Sequence, residues 1–94
     1  MNTEDVLKEI CNVVRRHLPD AKLILFGSWA KGNALPESDL DIGILHTEKI
    51  PFPLYTQMKA EIDAVPTLRK IDLVDLHNVD ENFKQSALKH SKTL

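Results

Sequence analysis

The stretch KLILFGSWAKGNALPESDLDIGIL, residues 22 to 45, decides how the chain folds and where its chemistry sits. Lys22 to Phe26 is a short apolar run that stops at Gly27, the pattern of a strand entering a tight turn. Ser28 to Asn33 reads as a short helix, and Ala34 to Ser38, with Pro36, as a loop. From Asp39 to Leu45 the residues alternate. Leu40, Ile42 and Ile44 form one apolar face, and Asp39, Asp41 and Gly43 form the other, so this strand has one face on a core and one on a site. Two carboxylates on one face repel each other, and the pair persists cheaply only with a cation between them or a proton on one of them. A divalent metal is the resolution the pattern favours. Gly27 and Ser28 offer backbone N–H groups at a helix start, where a phosphate can sit. Together the features point to nucleotide and Mg2+ chemistry.

Outward from this core the periodicities change. Residues 3 to 18 predict a helix: Thr3 can cap it, Glu4 and Asp5 suit its first turn, and Val6, Leu7, Ile10, Val13, Val14 and Leu18 recur at helical spacing until Pro19. Downstream, Pro51 and Pro53 punctuate a connection, and Leu54, Met58, Ile62 and Val65 mark a second helix that stops at Pro66. IDLVDL, residues 71 to 76, is a third strand. Asp80 can cap a last helix, ENFKQSALKHSK, whose only apolar residues are Phe83, Ala87 and Leu88, a thin stripe that predicts weak packing. The order α-β-(α)-β-α-β-α specifies an α+β fold in which helices flank a small sheet.

With 94 residues the chain is expected to be a single domain, 1 to 94, holding one modest core and too short for a separate acceptor-recognition module. Its net charge of −2, with acids and bases intermingled, argues against a broad nucleic-acid surface, so no direct nucleic-acid partner is expected. The lone cysteine, Cys11, cannot form an internal disulfide, and no apolar segment resembles a signal peptide or membrane span, which makes the cytoplasm the expected compartment. His17, His46, His77 and His90 show no metal-ligand spacing.

Gly27-Ser28, ten intervening residues and Asp39-Leu40-Asp41 resemble the GS-x10-D-x-D motif of the DNA polymerase β-type nucleotidyltransferase superfamily, and the chain length resembles its minimal nucleotidyltransferase (MNT) branch. Alone, a D-x-D pair is usually a solvated strand end and a Gly-Ser a turn; the joint spacing carries the resemblance, which spans nearly the whole chain. It implies a nucleotidyltransferase (polymerase β-like) fold with a small mixed sheet. Nucleotidyl transfer is an in-line displacement at an α-phosphorus, and two hard cations held by carboxylates stabilise its attacking and leaving oxygens. Asp39 and Asp41 would be shared ligands of two Mg2+ ions. Ser28 and adjacent amides would hold the β and γ phosphates of ATP, Gly27 would let the chain approach them, and Lys31 would add positive charge. Many relatives carry arginines in this turn, where Trp29 and Lys31 stand here. Trp29 itself reads as a packing residue.

A third acid is also implied, and IDLVDL offers Asp72 and Asp75 on opposite strand faces. The family pattern selects Asp72 as metal ligand and proton acceptor for the incoming hydroxyl, leaving Asp75 as a surface or strand-end residue. The resemblance further implies transfer of AMP from ATP to a hydroxyl, with a helical HEPN-domain toxin as partner and its tyrosine as acceptor, this chain being the antitoxin of the pair. Two alternatives stand beside that reading: the nucleotide-binding subunit of a two-subunit small-molecule nucleotidyltransferase, and a noncatalytic antitoxin acting by contact alone.

Overall fold

Apolar residues at alternate positions of residues 40 to 45 and 71 to 75, beside the apolar run of residues 22 to 26, build a sheet with two different faces, and that difference positions everything else. The computed structural model describes residues 2–27, 32 and 39–94. The elements in chain order are α1 (Thr3–His17), β1 (Lys22–Phe26), β2 (Leu40–Leu45), α2 (Phe52–Asp63), β3 (Ile71–Asp75), α3 (Glu81–Lys89) and β4 (Lys92–Thr93). The four strands form one mixed sheet in the order β3-β2-β1-β4. β1 pairs antiparallel with both β2 and β4, and β2 pairs parallel with β3. The expectation of a small mixed sheet flanked by helices is met, and among the described residues no helix is long and apolar enough to cross a membrane.

Leu23, Leu25, Leu40, Ile42, Ile44, Ile71 and Leu73 point to one face, where they meet Val6, Ile10, Val13 and Val14 of α1 and Met58 and Ile62 of α2 in the main core. Burying such aliphatic side chains contributes about 1.5–3 kcal/mol each, and this term drives the fold. His17 Nε2 meets Glu61 Oε2 at 2.6 Å and ties the two helices together above it.

The opposite face is divided. Its inner part is a second, smaller core in which Ile24, Leu76 and Ala87 are buried, with Phe26, Leu45, Val74, Val79 and Leu88 around them. Gly43 makes this possible, because a Cβ there would meet Leu76 Cδ1 at 2.6 Å. The reading of this strand as core on one side and site on the other is therefore corrected: among the described residues, the second face is packed around Gly43 and is left to the acids only at its Asp41 end. Nor is α3 left undocked by its thin apolar stripe. Ala87 lets the helix come close, and Phe83 meets Phe26 edge-on at 6.1 Å between ring centroids.

Several element ends also differ from expectation, among them the end of α2, which stops at Asp63 rather than running on through Val65 to Pro66. Asn2, not Thr3, caps α1 by accepting the Asp5 N–H at 2.8 Å. α2 begins at Phe52 rather than Leu54, since proline is tolerated in a first turn where N–H groups lack helical partners. α3 ends at Lys89, and the expected continuation instead turns back as β4, whose Lys92 and Thr93 pair with Leu25 and Ile24.

Candidate active site

The parallel register of β2 and β3 brings the acids together. Asp41 lies opposite Asp72 in the ladder, so both half-buried carboxylates project from the same open face. Asp39 stands just before β2 and is exposed. Burial, the Asp72 charge and the Asp39 charge all hold the Asp41 carboxyl above its usual range, and a hydrogen bond with Asp72 acts in the same direction. A carboxyl so placed favours a proton or a cation. Lys70 partly answers it: its Nζ lies 3.8 Å from Asp72 Oδ1 and pulls the Asp41 value back down. Two residues before Asp72 in an extended segment, Lys70 belongs to the same face by strand parity, a signal that could have identified it from sequence.

Gly27 closes β1 with φ +74°, a backbone conformation that residues with a Cβ rarely adopt. Any Cβ at this position would collide with the Asp41 Oδ2 atom. The glycine thus leaves room for a carboxylate of the site, in addition to the approach to phosphate that the sequence suggested. Ser28, Lys31 and Trp29, with the helix expected over 28 to 33 and the loop over 34 to 38, lie outside the described residues apart from Gly32.

Asp75 sits on the other face, opposite Ile44 in the ladder. Its carboxylate accepts the Ile50 N–H and the His77 N–H, each at 2.9 Å, and so fastens the segments that follow β2 and β3. That placement separates its work from that of Asp72. α2 holds the outer edge of β3 as well: the Tyr55 hydroxyl donates to the Leu73 carbonyl at 2.6 Å, and Lys59 Nζ donates to the Ile71 carbonyl at 2.7 Å. Asp72, between those two residues, is fixed by both. Sequence reasoning missed this clamp, which links residues far apart in the chain.

The open face offers hard oxygen donors of the kind Mg2+ takes, usually one or two carboxylates with the remaining positions left to water and substrate phosphate. Among the described residues no three His, Cys, Asp or Glu side chains are grouped closely enough to enclose an ion by themselves. The Asp41–Asp72 pair supplies two such donors, and a metal held there would draw its remaining ligands from water and substrate phosphate. A groove of about 440 Å³ along the outer edge of β3, lined by Ile50, Phe52, Tyr55, Leu73, Asp75 and Val79 among others, contains none of the acids of the open face.

Comparison with known proteins gives a consistent answer. The family model described as polymerase beta, nucleotidyltransferase matches residues 8–94. A Haemophilus influenzae protein described as probable protein adenylyltransferase MntA is 29% identical over 73 residues, covering 78% of this chain and 64% of its own length. The chain thus spans just under two thirds of that relative. Among solved structures, a toxin-antitoxin complex with AMP-PNP matches with a TM-score of 0.68 and 24% identity over 92% of this chain and 69% of the other. A complex of a tri-AMPylated Shewanella oneidensis HEPN toxin with its MNT antitoxin matches with a TM-score of 0.71 and 21% identity over 96% of this chain and 69% of the other. At these identities the structural matches establish a shared fold.

Proposed function

The chain belongs to the polymerase beta nucleotidyltransferase family, and from that membership we propose that it transfers AMP from ATP to a hydroxyl, that of a tyrosine on a helical HEPN-type toxin partner, and so acts as the antitoxin of a pair. The observation that carries the proposal is the register pairing of Asp41 with Asp72 on an open sheet face, where burial and neighbouring charge oppose ionisation of Asp41. Its likeness to a protein described as an adenylyltransferase supports the choice of AMP, and the fold shared with an MNT antitoxin bound to an AMPylated HEPN toxin supports the choice of partner.

In this reading residues 1 to 94 act as one minimal nucleotidyltransferase domain in the cytoplasm. Asp39, Asp41 and Asp72, completed by phosphate oxygens and water, would hold two Mg2+ ions, which would screen the phosphate oxygens and favour ionisation of the acceptor hydroxyl. Ser28, Lys31 and the amides after Gly27 hold the β and γ phosphates. The acceptor oxygen bonds to the α-phosphorus, the bond to the bridging oxygen of pyrophosphate breaks, and the hydroxyl proton passes to the Asp72 carboxylate. AMP on a tyrosine adds charge and bulk, and both oppose binding of an RNA backbone by the toxin.

The test is incubation of the chain with ATP labelled at the α-phosphate, Mg2+ and the helical partner. Label should appear in the partner, and Asp41→Asn should prevent it. A partner that stays unlabelled with the unaltered chain would count against the transfer.

A further inference from the structure

The open face carries its own cation. Lys70 precedes β3, and its carbonyl accepts the Leu40 N–H at 3.0 Å, so its backbone is fixed by the first rung between β2 and β3. From that anchor the side chain reaches the acids, with Nζ 3.8 Å from Asp72 Oδ1. The contact is longer than the roughly 2.7–2.9 Å of a tight charge-assisted hydrogen bond, and the Lys70 side chain is 70% exposed. Such a lysine is held by charge rather than by packing, and its compact, mobile ammonium can be displaced.

We propose that Lys70 is a built-in counter-cation for the Asp41–Asp72 pair, one that steadies the acids before metal arrives and sets the Mg2+ concentration at which the site fills. The inference rests on the metal-binding reading above. Without Lys70, the two carboxylates that the ladder sets opposite each other lose the ammonium beside them, and their repulsion is less offset. With it, an arriving dication must displace or repel a positive charge already in place, so metal alone binds more weakly than the acids would allow. Lys70 is a positioning residue in this role, acting on the acids and through them on the metal.

The experiment is a Mg2+ titration of the full chain without nucleotide, at constant ionic strength, followed by both thermal unfolding and calorimetric binding for the unaltered protein, Lys70→Gln and Lys70→Arg. Lys70→Gln should unfold at a lower temperature when metal-free yet reach half-saturation at a Mg2+ concentration about threefold lower, the scale expected for loss of one exposed charge beside the site. Lys70→Arg should resemble the unaltered protein. A purely structural lysine would lower the unfolding temperature without tightening Mg2+ binding, and an unchanged or weakened Mg2+ response in Lys70→Gln overturns the inference while leaving the metal site standing. Loss of the arginine rescue overturns it too. Absence of any Mg2+ response in all three proteins overturns both the inference and the metal-binding reading beneath it.

Discussion

Asp41 is the carboxyl whose surroundings oppose its charge, and its titration should be visible in stability. A carboxyl raised above its ordinary value binds a proton more readily in the folded chain than in the unfolded one. Its contribution is then most favourable at low pH and is lost as pH rises through the raised value. Asp41→Asn, which does not titrate, should make the metal-free protein more stable at neutral pH. After allowance for solvent screening the gain is about 0.5–1 kcal/mol, or about 2–5 °C in Tm. Thermal unfolding between pH 3 and 8 checks the sign: the gap should close as pH falls through the ordinary carboxylate range, and a gap that widens there contradicts it. The two acids of β3 should separate in the opposite sense. Asp72→Asn should lower turnover about 100-fold or more while nucleotide affinity changes little, if the proposed role of Asp72 lies in activating the acceptor hydroxyl. Asp75→Ala should instead cost about 1–3 kcal/mol of stability by orphaning the Ile50 and His77 N–H groups. Kinetics set beside denaturant unfolding for both variants decide the matter, and exchanged phenotypes would refute the assignment.

Elements carry the acids, and the clamp from α2 to the edge of β3 is their main constraint. Tyr55→Phe removes the donor to the Leu73 carbonyl and should cost about 1 kcal/mol. Hydrogen exchange should show the loss concentrated in β3, whereas a loss spread evenly over the sheet would argue that the tyrosine only packs. None of this clamp was legible in the sequence, because i, i+4 residues of one helix reaching two carbonyls of a strand leave no local pattern. The alternation in residues 39 to 45, the helical spacing before Pro19 and the apolar runs at 22 to 26 and 71 to 76 were legible, since burial imposes its pattern directly on the sequence. β4 was not, because Lys92 and Thr93 are too few to display a period and follow a helical stretch without a break. Of the site, the facing of Asp41 and Asp72 across two strands required the register, which sequence parity constrains without fixing.

At the scale of the whole molecule, the sheet divides its labour. One face, covered by α1 and α2, supplies the core; the other is covered by α3 where Gly43 and Ala87 allow it, and among the described elements none packs over the acids. The central claim is that this face performs the transfer rather than merely contacting the partner. The most direct measurement is co-expression of the helical partner with either the unaltered chain or the Asp39→Ala/Asp41→Ala variant, followed by intact-mass analysis and a ribonuclease assay of the partner after the complex is separated. The account predicts a partner carrying AMP and inactive after separation from the unaltered chain, and a partner unmodified and active after separation from the variant. A partner unmodified in both cases and inhibited equally by both chains would contradict it and leave inhibition by contact alone.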